Sequence, residues 1–396
     1  MVFPQGSAFP GEAGQPSAAP DPALGVWLKE RGVALVGITY TGGWLLAEAP
    51  AATKSAMDAF TRQFGRASQV IISGGSINGM VSGALAEQSP TLFTAALPYC
   101  PALLPMTDFL GLELDGAFAY TTLVAPDAGI RVDGSGNVQN SVDAIKRTVP
   151  QAQSTATGRA RLGLVSALMN FSGWVAPQTS EPSDADTIER GQVTALAGLF
   201  EGFFALRAHL ASAAHGQPVG NEGVDYATQL NRSRYRSEVQ TLYQEGHLDL
   251  SRDLATLATA ARVHADPQAF RYLAANPRIS GRIQVPLLAL ESSGDDWLVE
   301  GVGEYANRVT QSKASSYLRQ AWVNRPGHCP FSRIELATAF DVLFERVASG
   351  KWPDTSPAAL TARADRLVNA YPELARDQGT PMTRFESYTP GPFPRG

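Results

Sequence analysis

Six consecutive residues, Gly74-Gly75-Ser76-Ile77-Asn78-Gly79, join a short apolar run at Gln69 to Ser73 to a helical pattern over residues 77–88. A serine at such a strand-to-helix reversal is pushed out above its sheet. Small residues two before and two after it let strand and helix approach closely. Ser76 is therefore the expected nucleophile of a nucleophile elbow. The N–H of Ile77, at the start of the helix, is the expected first donor to an oxyanion. Asn78 stands where a second glycine is usual, with Gly79 just beyond, and Asn is among the residues better tolerated in unusual backbone regions. A phosphate-cradling turn is the weaker reading, because the stretch has neither Gly-Lys-Ser/Thr nor a full Gly-x-Gly-x-x-Gly.

A serine hydroxyl needs a base, and the base needs a third group to orient it. With a strand–serine–helix turn early in the chain, both are sought in loops that come after later strands. Of five histidines, His209, His215, His247 and His264 fall in helical stretches and are read as structural or surface residues. Only His328 lies in a loop after a strand, in Arg-Pro-Gly-His-Cys-Pro-Phe, and it is the expected base. The acid is sought in Ser-Ser-Gly-Asp-Asp-Trp-Leu-Val, which offers Asp295 and Asp296. Asp296 is favoured because its Asp-x-x-Val spacing turns an apolar residue back toward the sheet, while Asp295 is read as a turn residue. No histidines are spaced like His-Glu-x-x-His, so no metal site is expected.

The elements that must hold these groups alternate at both ends of the chain. Residues 1–24, rich in Pro, Gly and Ala, read as loop, followed by a short helix over Leu24 to Arg31. Val33 to Tyr40, Gln69 to Ser73, Leu92 to Pro98, Val285 to Glu291 and Leu318 to Asn324 are apolar and read as buried strands. Helical patterns separate them, which predicts an α/β fold with a doubly wound, mostly parallel sheet. Between residues 105 and 280 strand signals vanish and helices dominate at Arg159 to Trp174, Ile188 to His215 and Arg234 to Ala275. The expected organisation is a core at 1–104, a helical insertion at 105–280, and the rest of the core at 281–396 with a Pro-rich tail lying on the surface. The insertion leaves after Pro98, so it is expected to act as a lid over Ser76. Phe200, Phe203, Phe204, Tyr235 and Tyr243 are its candidate pocket residues, or equally its own core. Tyr40, Trp44 and Tyr99 lie at strand ends and are the candidate substrate contacts.

Composition narrows the function classes. The 396 residues are 44% hydrophobic and 17% charged, with a net charge of −5. No dense Lys/Arg cluster offers a phosphate-tracking surface, which argues against nucleic acid. No apolar run reads as a membrane span. No charged-then-apolar leader stands at the N-terminus, so a cytoplasmic location is the default, or a secreted one if the chain is a shortened form. Cys100 and Cys329 are expected as two free thiols, with one bridge between them left open because both fall near the same sheet edge.

The stretches Gly32 to Trp44, the elbow, Ala86-Glu87-Gln88-Ser89-Pro90, Gly294 to Val299 and Gly327-His328-Cys329-Pro330-Phe331 together resemble the α/β-hydrolase superfamily of serine hydrolases. Within it they resemble its bacterial esterase and prolyl-oligopeptidase-like members. The resemblance covers about half the chain; the insertion matches no family. It implies a Ser76–His328–Asp296 triad, an acyl-enzyme intermediate, and no metal or organic cofactor. Phe3-Pro4-Gln5-Gly6-Ser7 falls where the superfamily's oxyanion loop belongs, with Gln5 in place of the usual histidine. A backbone N–H near Gln5 or Gly6 would then be the second oxyanion donor. Only Met1 to Phe3 precede that loop, so the first two strands of the superfamily's sheet are expected to be lacking. This makes the chain a minimal variant, a shortened form or a product with a misplaced start. The expected activity is cleavage of a carboxylic ester of a fairly apolar, small-molecule or oligomeric substrate. The alternatives are a peptidase, lactonase or acyltransferase using the same triad, or a non-catalytic ligand-binding member. Nothing in the sequence bears on the oligomeric state.

Overall fold

The computed structural model describes residues 1–5, 17–40, 45–177, 179–296, 299–375 and 383–395. They form two compact units, Met1–Leu104 with Pro277–Pro390, and Pro105–Asn276 with Gly391–Gly396. The first unit is built on a sheet with seven strands among the described residues. In chain order they are β1 (Val2–Pro4), β2 (Val36–Ile38), β3 (Ile71–Gly75), β4 (Ala95–Tyr99), β5 (Leu287–Gly294), β6 (Leu318–Pro326) and β7 (Phe385–Glu386). They lie side by side as β2-β1-β3-β4-β5-β6-β7, and all pairs are parallel except β6 with β7.

Two expectations change here. The opening residues, read as loop, supply β1: Val2 is matched to Val36 of β2 and Ile72 of β3, and Val2 and Phe3 are buried. Three residues are too short a run for a period to register in sequence. The tail read as surface-lying supplies β7 and, in residues 391–395, part of the second unit. There Arg395 pairs with the buried Asp115 and donates to the Gly220 carbonyl.

Helices cover both faces of the sheet, as apolar strands buried on both sides require. In chain order the first unit holds α1 (Pro22–Glu30), α2 (Leu45–Phe64) and α3 (Ile77–Gln88); the later helices α12 (Val299–Gln311), α13 (Arg333–Ser349) and α14 (Pro357–Ala370) come after the second unit in the chain. One core joins α1, α13 and α14 to the sheet through Trp27, Leu28, Phe340, Leu343, Leu360 and Leu367 against Phe3, Leu97, Leu288 and Val323. Near the end of α3, the Glu87 carboxylate accepts from the Ser280 and Gly281 N–H groups, the Ser280 hydroxyl and the Tyr305 hydroxyl of α12, at 2.8–2.9 Å. One side chain thus pins the point where the chain returns to its core.

The second unit holds α4 (Met106–Leu123), α5 (Val138–Gln153), α6 (Ala156–Met169), α7 (Ala185–Ala214), α8 (Tyr226–Arg232), α9 (Arg236–Glu245), α10 (Leu250–Thr259) and α11 (Pro267–Ala275). The single helical stretch expected from Arg234 to Ala275 is three helices, two of them started by Asp249 and Asp266 accepting from backbone N–H groups. By length and apolarity α7 alone, among the described residues, is able to cross a bilayer. Its Leu196, Phe200, Phe204 and Leu210 are nevertheless buried.

The C-terminal ends of β5 and β6 lead into the segments that carry Asp295, Asp296 and His328. Ser292 is matched to Val323 and Gly294 to Pro326, so β6 carries one extra residue in this stretch. Such a bulge re-aims the side chains beside it. Asn324 faces out and Arg325 turns in, its side chain 2% exposed. Arg325 donates to the Pro330 carbonyl at 3.0 Å and to Glu335 at 2.8 Å. Glu335 in turn accepts from the N–H groups of Ser332 and Arg384. A buried ion pair thereby ties both ends of the loop 326–332 to the start of α13. Glu335→Ala strands the Arg325 charge, and urea unfolding is expected to show a loss of about 3–5 kcal/mol. The double substitution Arg325→Met with Glu335→Leu, which leaves no buried charge, is expected to lose much less.

Candidate active site

β3 ends at Gly75 and α3 begins at Ile77, so Ser76 alone carries the reversal, at φ 55 and ψ −127. That is a rare conformation for a residue with a side chain, and such outliers cluster at functional sites. The glycine pattern has a steric cause. A Cβ on Gly74 would stand 2.5 Å from the Asn78 carbonyl oxygen, and one on Gly75 would stand 2.2 Å from the Tyr99 ring. Bare backbone at Gly74 makes the room that the elbow needs. Asn78 is tolerated because the close approach is relieved from the strand side. Gly79 in turn sits against Pro101 and the Gly74 and Tyr99 carbonyls.

His328, in the loop after β6, has its Nε2 2.7 Å from Ser76 Oγ. Its Nδ1 lies 2.9 Å from Oδ2 of Asp295, whose side chain is fully buried. The acid in contact is thus Asp295, which corrects the expectation of Asp296. The physical reason is strand length: β5 runs to Gly294 rather than stopping at Glu291, so Asp295 is the first residue past the strand end. Asp296 is one step further out and half-buried, and it acts on His328 through its charge. Burial works against a charged imidazole. The charge and hydrogen bond of Asp295, with the charge of Asp296 behind them, outweigh it and raise the His328 pKa above the ordinary histidine value.

Sequence reasoning missed Glu291, on β5 below the acid. It is fully buried, and burial first, then the Asp295 charge, push its carboxyl pKa well above the usual range. The signal available in sequence was an acidic residue closing an apolar strand.

Cys100 and Cys329, expected as free thiols, form a disulfide with their Cα atoms 5.2 Å apart. Cys329 follows His328 directly, and Cys100 follows β4, its N–H held by the Leu290 carbonyl at 2.8 Å. Both cysteines have positive φ, 39 and 57. The bond fastens the His328 loop to the sheet beside the elbow.

The remaining expected site residues divide. Gln5 is corrected: its N–H donates to the Ile38 carbonyl at 2.8 Å, continuing the β1–β2 ladder, and is thereby spent. Gly6 and Trp44 lie outside the described residues. Ile77 opens α3 beside Ser76, as an oxyanion donor requires. Tyr99 packs over Gly75 and edge-on to Phe331, next to the nucleophile, and burial pushes its hydroxyl pKa up to about 12. Tyr40 is two residues beyond β2, with its hydroxyl buried and its pKa raised by burial and by Glu48. Phe200, Phe204, Tyr235 and Tyr243 are buried, with Phe200 packed against Tyr120 and Phe204.

No family model matches the chain. The o-phthalyl amidase of Xanthobacter agilis is 30% identical over 345 residues, covering 78% of this chain and 74% of that protein. The chain belongs to one family with that amidase. Solved structures with a similar chain path include feruloyl esterase B from Aspergillus oryzae, with 14% identity and a TM-score of 0.38 over 89% of this chain and 76% of that one. An esterase from Thermogutta terrifontis has 11% identity and a TM-score of 0.36 over 87% and 89%.

The two neighbouring aspartates of this chain are separable by experiment. Asp295→Asn replaces the acceptor-only carboxylate that fixes the imidazole tautomer with an uncharged amide that can donate to Nδ1, and kcat is expected to fall by about 10⁴-fold. Asp296→Asn is expected to leave kcat within about tenfold of the parent and to shift the acid limb of the pH profile to lower pH, because it lowers the His328 pKa. Glu291 gives a stability test. Its raised pKa means that the folded chain holds this proton more tightly than the unfolded one. The contribution is complete below the ordinary Glu value and is lost as pH rises through the folded value. Glu291→Gln is therefore expected to gain stability relative to the parent as pH is raised above the ordinary Glu value in urea unfolding.

Proposed function

We propose that this hydrolase cleaves a carboxylic acyl bond through an acyl-enzyme on Ser76. The observation that carries the reading is the continuous hydrogen-bonded line from Ser76 Oγ through His328 to Asp295, set on a strained elbow. His328 Nε2 takes the hydroxyl proton as Ser76 attacks the carbonyl carbon. Asp295 holds Nδ1–H and stabilises the imidazolium that forms. The Ile77 N–H at the start of α3 donates to the oxyanion, and the proton then passes from His328 to the leaving group. Water enters by the same route in reverse and frees the acid.

For the bond cleaved, the amidase relative favours a carboxylic amide of an aromatic acyl group such as o-phthalyl. The ester expected from sequence is the second reading, because the same triad acts on both bonds. Paired o-phthalyl amide and ester substrates test the choice: a higher kcat/KM on the amide supports the first reading, and turnover of the ester alone abandons it. Fluorophosphonate labelling tests the nucleophile. Label is expected on the parent and absent from Ser76→Ala; equal labelling of both would exclude Ser76. Since neutral His328 is the base and its pKa is raised, kcat/KM is expected to fall on acidification with a midpoint above about 6.5.

A further inference from the structure

The disulfide and the catalytic imidazole sit together in a way that hydrolysis does not require. The Sγ atoms of Cys100 and Cys329 and a ring nitrogen of His328 all lie within 4.8 Å of one another. We propose that reduction of the Cys100–Cys329 bond turns this cluster into a three-ligand site for a soft divalent ion of the Zn²⁺ class, and that filling the site switches the hydrolase off. The proposal rests on His328 being the base of the reaction proposed above.

Two thiolates and an imidazole are the donor set that zinc prefers. With Zn–S near 2.3 Å and tetrahedral angles, two bound sulfurs stand about 3.8 Å apart. Sulfurs released from a bond between Cα atoms 5.2 Å apart need only a small rotamer change to reach that spacing. The ligands come from two anchored places. Cys100 is fully buried and tied to β5. His328 and Cys329 share a loop gripped by Arg325 through the Pro330 carbonyl. Preorganisation of this kind lowers the ordering that a metal must otherwise impose.

The switch comes from the two ring nitrogens. Nε2 faces Ser76 at 2.7 Å and Nδ1 faces Asp295 at 2.9 Å. A metal on either nitrogen displaces one of those contacts, so metal binding and the triad exclude each other. In the oxidised chain the sulfurs bond to one another and the site does not exist. Reduction by a phosphine transfers two electrons to the disulfide. The S–S bond breaks, phosphorus is oxidised and takes oxygen from water, and the two water protons go to the sulfurs. Metal binding then releases both protons, so two thiolates neutralise the charge of the ion.

The test uses the full chain, reduced with a water-soluble phosphine without air, and Co²⁺ as a spectroscopic probe. Expected are one Co²⁺ per chain, thiolate-to-cobalt and tetrahedral visible bands, and displacement by Zn²⁺. With one equivalent of Zn²⁺, turnover by the reduced chain is expected to be nearly abolished and to return with a chelator. Oxidised chain at the same Zn²⁺ level is expected to keep its rate. His328→Ala is expected to weaken Co²⁺ binding at least tenfold, and any residual turnover of reduced Cys100→Ser is expected to ignore Zn²⁺. Absent cobalt bands, bands unchanged in His328→Ala, equal inhibition of oxidised chain, or unfolding on reduction by circular dichroism would each overturn the proposal. Ser76→Ala must bind Co²⁺ like the parent. Normal cobalt bands in a parent chain without hydrolytic turnover would therefore count against the catalytic reading and not against the metal site.

Discussion

Ser76 holds a backbone conformation that a side-chain-bearing residue adopts only under compulsion, at a cost of about 1–3 kcal/mol. The compulsion comes from several sides. The Ser76 N–H is held by the Tyr99 carbonyl of β4 at 3.1 Å, while its carbonyl accepts the first helical bonds from Gly79 and Met80. The glycine at position 74 lets helix and strand touch. Remove the neighbouring strand, the helix start or the glycine, and the residue relaxes to an ordinary turn. Everything else in the site is arranged around where this serine points.

Two late loops meet it there, 219 and 252 residues further along the chain (76 to 295 and 76 to 328). Their precision depends on polar groups withheld from water. The Arg325–Glu335 pair holds both ends of the histidine loop and the Cys100–Cys329 bond holds its middle, while buried Glu291 sits on the strand that leads to the aspartate. Buried ionic groups are weak contributors to net stability when compared with apolar replacements of the same shape. Here they act on loops that have no regular backbone ladder, which is where a directional contact has most to specify.

The elbow, the base and the alternation of strands and helices were legible in sequence because each is a local pattern: an apolar run, a turn, a periodic face. The errors fall where the deciding fact is not local. Asp295 and Asp296 differ by how far β5 extends, which is set by pairing with β6 rather than by the strand's own residues. Gln5 looked available as a donor until a partner strand took its N–H. β1 has three residues and no period of its own, and it becomes a strand only because β2 and β3 flank it. The thiol pairing needed the distance between two loops. Glu291 was read as the last residue of a buried strand, and nothing local tells that its carboxyl stays buried beside Asp295.

The position of the second unit within the chain has a temporal side. β4 sits in the middle of the finished sheet, yet its partner β5 begins 188 residues after β4 ends (99 to 287). At ribosomal rates of about 5–20 residues per second, that interval lasts roughly 10–40 s. For all of it the edge of β4 has no strand beside it, and the elbow has neither acid nor base. Nascent chains in this window carry an open, apolar sheet edge, the kind of surface that pairs with other chains. The order in which the elements are made thus leaves half of the sheet waiting on the rest.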